Sequence, residues 1–461
     1  MATAGLLFRS LTRPSTAAAQ RRTTAAAFSS TPARRAVNPP AASERKSNPT
    51  KQKKTYKKTS LLDAVPVKKP APGERKAFRV RIQTSNNNAL PIRGSERMAA
   101  KTLVDDASAG RMFGIPDTIV DRLRILRAFK PTQSWGLFHH PHVLVREKTV
   151  ELARRLDASC QDGGETLRCV LTGYRLTGKS LLLLQAMCHA MLNNWVVINI
   201  PEGQELTNGN TEYAPIPDTD PMQFTQPLYT LQLLSTILQV NEKVLNTLPL
   251  LLEWPDLGPF SSQATIADLL RSTKETDYAW IAFQAFWKEM CQPGRPPILF
   301  SLDGLAHVNT VSDYRDPSFI PVHAHELALV RVFLDALSGK TKLPNGGAII
   351  AATSESNTPL HPSQELVLSQ IEATQAQTEP PRRDPYQRRY DDRAYDVLKS
   401  TFVLRVPSVS KDEGRALMEY WAASGVVKDV VDTHTVSEKW ALGGHGVLGE
   451  MEKVALLTLR L

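Results

Sequence analysis

Eight consecutive residues of the chain match the phosphate-binding pattern G-x-x-x-x-G-K-S/T. They are Gly173, Tyr174, Arg175, Leu176, Thr177, Gly178, Lys179 and Ser180. Glycine lets the backbone turn tightly, so that successive N–H groups and the positive end of a following helix converge on phosphate oxygens. The lysine reaches the β- and γ-phosphates as a point charge, and the serine hydroxyl is a Mg²⁺ ligand. The pattern predicts a nucleotide site, the alternative being a glycine-rich turn before a core helix.

The residues around this motif have the order that a phosphate loop requires. Residues 167–171 are short and mostly apolar, as in a buried strand, and residues 179–193 are rich in Leu, Ala, Met and Gln, as in a helix. A strand, a glycine loop and a helix in succession place the loop at the carboxyl end of the strand. The context therefore favours the nucleotide site over the plain turn.

Two further stretches end in polar residues that could complete the site. The apolar stretch 297–303 ends in Asp303, which we expect to be a second magnesium ligand beside Ser180. The alternative is an aspartate that caps a turn. The stretch 346–354 ends in hydroxyl residues, and Thr353 is the candidate for a contact near the γ-phosphate, with a plain strand end as the alternative.

One residue that many P-loop ATPases use for catalysis is replaced here. Gly304 follows Asp303, where those enzymes have the glutamate that activates the attacking water. No catalytic residue is therefore predicted, and the chain is expected to hydrolyse a bound nucleotide slowly at most, unless an arginine from another protein completes the site. The guanine-reading pattern N/T-K-x-D does not occur in the sequence, so the motifs leave the base open.

Basic residues are concentrated at the N-terminus. Residues 1–100 hold 21 Lys and Arg against 4 Asp and Glu, in a chain of 461 residues with a net charge of +10. Residues 1–45 are rich in Arg, Ser and Ala, which predicts a mitochondrial presequence; a basic tail without a targeting role is the alternative. Residues 46–100 predict an extended basic arm that contacts RNA phosphates, and a solvated basic surface without an RNA partner is the alternative.

The composition excludes several classes of protein. Apolar residues make up 42% and charged residues 22%, which is typical of a folded chain. No apolar run approaches the roughly 18 residues of a membrane span, so none is predicted. The 4 cysteines lie far apart, which argues against a disulfide scaffold and a cysteine zinc site. The histidines at 139–142 flank a proline and favour a loop over a metal site.

The rest of the chain predicts an α/β fold of the P-loop NTPase class, with a parallel sheet. The strand at 195–200 is expected to pair beside the strand that precedes the P-loop. We expect a nucleotide-binding domain over 101–355 with a helical insertion at about 202–295, a polar surface insertion over 356–395, and a C-terminal strand and helical lid over 396–461.

Several longer stretches resemble the death-associated protein family, the GTP-binding proteins of the mitochondrial ribosomal small subunit. They are VVINIP at 196–201, LFSLDGLAHV at 299–308, ELALVRVF at 326–333, GGAII at 346–350 and GG at 443–444. The length and the Pro/Gln-rich insertion are similar to those of a fungal member. The resemblance implies an AAA-like fold and a place in the mitochondrial ribosome of the matrix.

The resemblance also implies ligands and partners. A guanine nucleotide, GTP or GDP, would lie in the loop with Mg²⁺, with Lys179, Ser180 and Asp303 as its contacts. Ribosomal RNA, small-subunit proteins and components of the large-subunit bridge would be the partners. The chain departs from the family near its end, where residues 443–449 replace a G-G-N-P-R-E-like run and the expected arginine is missing.

Three hypotheses of function follow. The first is a structural ribosomal protein that binds a guanine nucleotide with slow or no hydrolysis and contributes to mitochondrial translation. The second is an active mitochondrial P-loop NTPase that acts off the ribosome. The third is a basic RNA-binding arm attached to a vestigial nucleotide site.

Overall fold

The computed structural model describes residues 82–161, 165–355 and 358–456. The predicted presequence, 1–45, and the part of the basic arm before residue 82 lie outside the described residues. Across these three ranges, no helix combines the length and the apolar character that a bilayer crossing needs.

A parallel sheet of five strands forms the centre of the fold. The described strands are β1 (Met112–Gly114), β2 (His142–Leu144), β3 (Leu167–Thr172), β4 (Val196–Ile200), β5 (Ala214–Ile216), β6 (Gln223–Thr225), β7 (Ile298–Asp303), β8 (Val311–Arg315), β9 (Pro321–His323), β10 (Gly347–Ala352) and β11 (Phe402–Arg405). The strand order in the parallel sheet is β11-β3-β10-β7-β4. The other strands form antiparallel pairs, β1 with β2, β5 with β6 and β8 with β9.

The position of β4 corrects the expectation drawn from the sequence. This strand does not lie beside β3, which precedes the P-loop; it pairs with β7, and β10 separates β7 from β3. Asn199 and Ser301 are partners in the β4–β7 register, and Ser301 Oγ donates to Asn199 Oδ1 at 2.8 Å. Chain order does not decide strand order here, because a crossover connection can skip a position in the sheet.

Helices connect the strands and cover both faces of the sheet. In chain order they are α1 (Ala100–Val104), α2 (Asp117–Ile125), α3 (Glu147–Ala158), α4 (Lys179–Leu192), α5 (Gln204–Thr207), α6 (Pro227–Leu245), α7 (Ile266–Ser272), α8 (Ala279–Met290), α9 (Leu305–Val308), α10 (Ala328–Ser338), α11 (Pro362–Gln375), α12 (Asp392–Leu398), α13 (Lys411–Ala423), α14 (Thr433–Leu442) and α15 (Leu448–Leu456). The segment between β4 and β7 contains α5 to α8 and also the β5–β6 pair.

The sheet separates two apolar cores, because successive side chains of a strand point to opposite faces. In β7, Phe300 and Leu302 lie in one core and Leu299 lies in the other. Helices α6, α8 and α10 pack on the first face, and α2, α3 and α4 pack on the second. The carboxyl ends of the parallel strands therefore share one edge, where the P-loop and Asp303 meet.

The segment expected to be a polar surface insertion contains an ordered helix. Helix α11 buries Val367 and Leu368, and Glu372 accepts from Thr172 Oγ1 at 2.6 Å and pairs with Arg405 at 2.8 Å. Only the residues that follow it, 377–389, are almost entirely exposed. A helix so rich in Gln and Ser needs few buried side chains when polar contacts attach it to the end of the sheet, so its apolar pattern is weak.

The C-terminal helices form a third core. Met418, Trp421 and Met451 are buried there together with Phe138 from the segment before β2. Helix α13 begins with a reciprocal cap, because the side chains of Ser410 and Glu413 each accept from the other residue's backbone N–H. These helices pack beside the phosphate loop.

Candidate nucleotide-binding site

The backbone of the phosphate loop has the turns that its glycines permit. Gly173 and Gly178 have φ values of 138° and 101°, in a region that other residues rarely adopt. A Cβ at position 173 would lie 2.5 Å from Val406 O, so only glycine fits there. Leu176 also has a positive φ, of 63°, at the tip of the loop. The loop then leads into α4 with its first N–H groups free of helical partners.

Lys179 holds its ammonium group inside this loop. Its Nζ donates to Gly173 O at 2.5 Å and to Tyr174 O at 2.8 Å, and the residue is only 6% exposed. Burial lowers the pKa of Lys179, and the carboxylates of Glu355 and Asp303 oppose that shift. A buried cation whose acceptors are neutral carbonyls is suited to an anion, because a phosphate would compensate its charge.

Ser180 and Asp303 are brought together as the sequence predicts. Ser180 Oγ donates to Asp303 Oδ2 at 2.8 Å, although 123 positions separate the two residues. The backbone around Asp303 is tightly held, since Asp303 O accepts from Gly203 N at 2.7 Å and Gly304 N donates to Ala352 O at 3.0 Å. A hydroxyl and a carboxylate at this distance are the donor types that Mg²⁺ prefers, so the residues fit the ion.

Two basic residues at the site carry no sequence signal. Lys130 Nζ lies 3.1 Å from Asp303 Oδ2, and Arg146 donates to Thr177 O at 3.3 Å. Both follow short apolar stretches outside every motif. Their role depends on how the segment before β3 folds back over the loop, which residue spacing does not show.

Thr353 lies at the end of β10 next to the loop strand. Its N and its Oγ1 both donate to Leu171 O, at 3.0 and 3.1 Å. This arrangement ties β10 to β3, and the predicted contact of Thr353 with the γ-phosphate stays a prediction. The acid that faces the loop is Glu355, two positions further on, whose Oε2 accepts from Arg175 N at 2.8 Å.

The remaining loop residues have distinct surroundings. Tyr174 is 65% exposed and lies under the guanidinium of Arg405, 5.4 Å from the ring centre. Thr177 is fully buried, and its Oγ1 donates to Tyr174 O at 2.9 Å. Leu176 O accepts from Gly449 N at 3.1 Å, which connects the loop tip to the first turn of α15.

A cavity of about 110 Å³ opens beside the loop, between α4, β2 and the C-terminal helices. Its lining is largely apolar and includes Trp135, Thr177, Leu181, Leu417, Trp421 and Leu448. Arg146 and Lys148 add basic groups to its wall. The cavity gives the phosphate loop a largely apolar wall on the side of the C-terminal helices.

Comparison with known proteins identifies the family. Residues 143–454 match the family described as mitochondrial ribosomal death-associated protein 3. The small ribosomal subunit protein mS29 of Neurospora crassa is 51% identical over 417 residues, which cover 89% of this chain and 88% of that protein. The protein of the same name in Schizosaccharomyces pombe is 24% identical over 71% of this chain and 67% of that protein.

A Walker-type ATPase of Pyrococcus abyssi is similar at 16% identity, with a TM-score of 0.35, over 73% of this chain and 71% of that chain. The family match spans the phosphate loop, Asp303 and the C-terminal helices, and the Neurospora relative extends over most of both chains. These two matches confirm the resemblance seen in the sequence. The chain belongs to the mitochondrial ribosomal death-associated protein 3 family.

Proposed function

We propose that this protein is a structural component of the small subunit of the mitochondrial ribosome and that it holds a guanine nucleotide with Mg²⁺ in its phosphate loop. Membership of the family and the names of both fungal relatives support the ribosomal part. Ribosomal RNA, neighbouring small-subunit proteins and components of the large-subunit bridge are then its partners in the mitochondrial matrix. The basic segment 46–100 is suited to the RNA contacts.

The observation that carries the nucleotide part is the buried ammonium of Lys179. It is enclosed by the loop, and the Ser180–Asp303 pair lies on the same edge of the sheet. Lys179 and the loop N–H groups would bind phosphate oxygens, and Ser180 and Asp303 would hold the ion. The ion supplies positive charge to the phosphates, and the chain supplies its position.

The surroundings of Asp303 support slow hydrolysis or none. The residue after Asp303 is Gly304, which has a φ of 88° and donates its N–H to Ala352 O. Because glycine has no side chain, this position offers no group that could orient an attacking water. A nucleotide that is bound and not turned over stabilises the folded state by RT ln(1 + [L]/Kd), about 2.7 kcal/mol at a hundredfold excess over Kd. Such a ligand would act as part of the structure.

One observation favours the second hypothesis, an active NTPase that works off the ribosome. The carboxylate of Glu355 lies at the loop, where its charge acts to raise the pKa of Lys179 and its Oε2 accepts a hydrogen bond from Arg175 N. A carboxylate in that place could orient a water. If it does, the Glu355→Gln variant should lose phosphate release without losing nucleotide affinity.

The nucleotide proposal is tested by what remains on the purified protein. We expect one guanine nucleotide per chain after gel filtration, identified by chromatography of the heat-released supernatant, and none on the Lys179→Ala variant. Adenine nucleotide in the extract would contradict the guanine assignment. An empty wild-type protein that also fails to bind added GTP and GDP would contradict nucleotide binding altogether.

Turnover separates the two functions. With GTP and Mg²⁺, we expect phosphate release well below about one per minute, far under usual enzymatic rates. Faster sustained release that Glu355→Gln abolishes would favour the NTPase. Sedimentation of the tagged protein with the small subunit of the mitochondrial ribosome tests the structural role, and a pool that stays at the top of the gradient would contradict it.

A further inference from the structure

We propose that Lys130 is a built-in counter-cation for Asp303, which lets the phosphate loop hold a nucleoside polyphosphate with little dependence on Mg²⁺. The inference rests on the proposed nucleotide binding and assigns a role to a residue that lies outside the sequence motifs. It concerns the charge balance of the site, whereas the function above concerns what occupies it.

Two donors converge on a single carboxylate oxygen. Lys130 Nζ lies 3.1 Å from Asp303 Oδ2, and Ser180 Oγ donates to the same atom at 2.8 Å. The ammonium also donates to Pro201 O, at the end of β4. The side chains of Lys130 and Asp303 are 21% and 11% exposed, so solvent and salt screen this pair less than a surface pair. The ammonium therefore lies against one of the two predicted metal ligands.

The backbone that carries Lys130 is anchored to the body of the protein. Asn199 Nδ2, in the central sheet, donates to Leu126 O at 2.9 Å. Arg127 forms a two-pronged ion pair with Glu205, with N···O distances of 2.8 and 2.5 Å. Residues 126 and 127, just before Lys130, are thus attached to β4 and to α5. The position of the ammonium is a property of the fold, and reaching Asp303 costs little further ordering.

The charges show what this lysine does for an anion in the loop. A phosphate near Lys179 would also meet the negative charge of Asp303, which repels it unless a cation stands between them. In P-loop proteins a divalent ion supplies that cation. Lys130 supplies one positive charge at the same carboxylate oxygen, half the charge of Mg²⁺. Metal removal should then weaken binding modestly, by about 10-fold or less.

Affinity measured with and without metal tests this role. We would titrate the full chain with fluorescent N-methylanthraniloyl-GDP, either in excess Mg²⁺ or in excess EDTA. For the wild type we expect the two dissociation constants to differ by about 10-fold or less. For Lys130→Met we expect a loss of about 100-fold in EDTA and of about 3-fold in Mg²⁺, since close charge pairs that are partly desolvated couple by more than 1.4 kcal/mol, a factor of ten.

Three controls identify the cause. Lys130→Arg keeps the charge and should keep the tolerance of EDTA. Lys399→Met removes another Lys–Asp pair, 2.7 Å long and on an exposed helix end, and should change neither constant. In an Asp303→Asn background the Lys130→Met change should have little effect in EDTA, because the charge that it balances is already gone.

The outcomes separate this inference from the proposed function. A wild type that binds the probe in Mg²⁺ and loses about 100-fold or more in EDTA, equally with Lys130→Met, would overturn the role of Lys130 and leave nucleotide binding standing. A wild type that binds the probe under neither condition would overturn nucleotide binding itself. Equal unfolding midpoints of the apo variants in urea would show that an affinity change is not a loss of folding.

Discussion

The two sides of the phosphate loop are held by different forces. On the metal side, Ser180 and Lys130 contact the Asp303 carboxylate, so charge and hydrogen bonding set the geometry. On the lid side, Gly449 N donates to Leu176 O, and the C-terminal helices cover the loop through an apolar core. Charged hydrogen bonds are directional and discriminate between anions and other ligands. Apolar contacts are not directional and require only that the two surfaces are complementary in shape.

This difference teaches which property each side controls. The metal side should decide whether a polyphosphate binds, and the lid side should decide how stably the C-terminal helices cover the loop. Variants on one side should therefore change affinity with little change in stability, and variants on the other should do the reverse.

The largest expected effect is on the metal side. Lys179→Ala should weaken GDP binding by about 100-fold or more, because it removes the one ammonium enclosed by the loop and charged contacts are worth several kcal/mol. Leu448→Ala, on the lid side, should weaken it by about 3-fold, since it removes only apolar cover. Fluorescence titration in Mg²⁺ measures both. Equal losses in the two variants would contradict the division between the sides.

The next effect is on the lid side and concerns stability. A Cβ on Gly446 would lie 2.2 Å from Val409 O and 2.4 Å from Trp440 Nε1, so Gly446→Ala should cost about 2–3 kcal/mol of unfolding free energy. Gly444 has a similar positive φ, of 65°, but its nearest neighbour would be Val447 Cγ2 at 3.4 Å. Gly444→Ala should cost only about 1 kcal/mol, the price of the backbone conformation.

Urea denaturation followed by tryptophan fluorescence measures this pair of glycine variants. Trp421 lies in the third core and Trp440 packs against it, so their fluorescence reports on the packing of the C-terminal helices. Similar losses of stability in Gly446→Ala and Gly444→Ala would mean that the close approach to Val409 and Trp440 does not constrain the lid.

The third effect concerns acid and acts through two buried histidines, His323 at the end of β9 and His325 just after it. Burial lowers the pKa of His323 to about 4 and that of His325 to about 3, with Arg393 lowering both further and Asp391 opposing the shift. Both side chains are therefore neutral in the folded state, and the unfolded state binds protons first. The unfolding free energy should fall as the pH drops below about 6.5, by about 1.4 kcal/mol per pH unit for each histidine.

Urea midpoints at pH 7, 6 and 5 measure this slope. His325→Gln retains a donor for Asn309 Oδ1, which lies 3.1 Å from His325 Nε2, but it does not titrate. We expect the variant to lose about half of the pH dependence. A variant whose slope matches that of the wild type would show that protonation elsewhere causes the acid sensitivity.

The smallest expected effect joins the two sides. Arg146 donates to Glu413, to Pro407 O and Ser408 O, and to Thr177 O, so a single guanidinium bridges the lid and the loop. Arg146→Lys keeps the charge but lacks the fork that reaches several acceptors, and it should cost about 1 kcal/mol of stability. Calorimetry of the apo protein measures it. An unchanged melting temperature would indicate that the charge alone matters.

Local patterns were sufficient to predict how the glycine-rich loop and Asp303 are placed relative to one another. The loop motif, the strand before it and the acid at the end of a buried strand are all short-range features, and the structure brings Ser180 and Asp303 to 2.8 Å as expected. The order of the strands differs from the one expected from the sequence, which placed β4 beside β3. In the structure β4 pairs with β7, where Ser301 Oγ donates to Asn199 Oδ1. Helix α11 escaped detection, because few of its side chains are buried.

The sequence by itself determined the glycine-rich loop, the polar strand ends and the family, because these follow from the types and spacing of a few neighbouring residues and a folded strand presents its end in a predictable place. Only the tertiary structure decided the counter-charge of the site. Lys130 and Arg146 precede the loop by tens of residues, and they reach Asp303 and Thr177 because residues 130–146 pack beside the loop. Contacts between distant segments depend on packing, which residue spacing does not record.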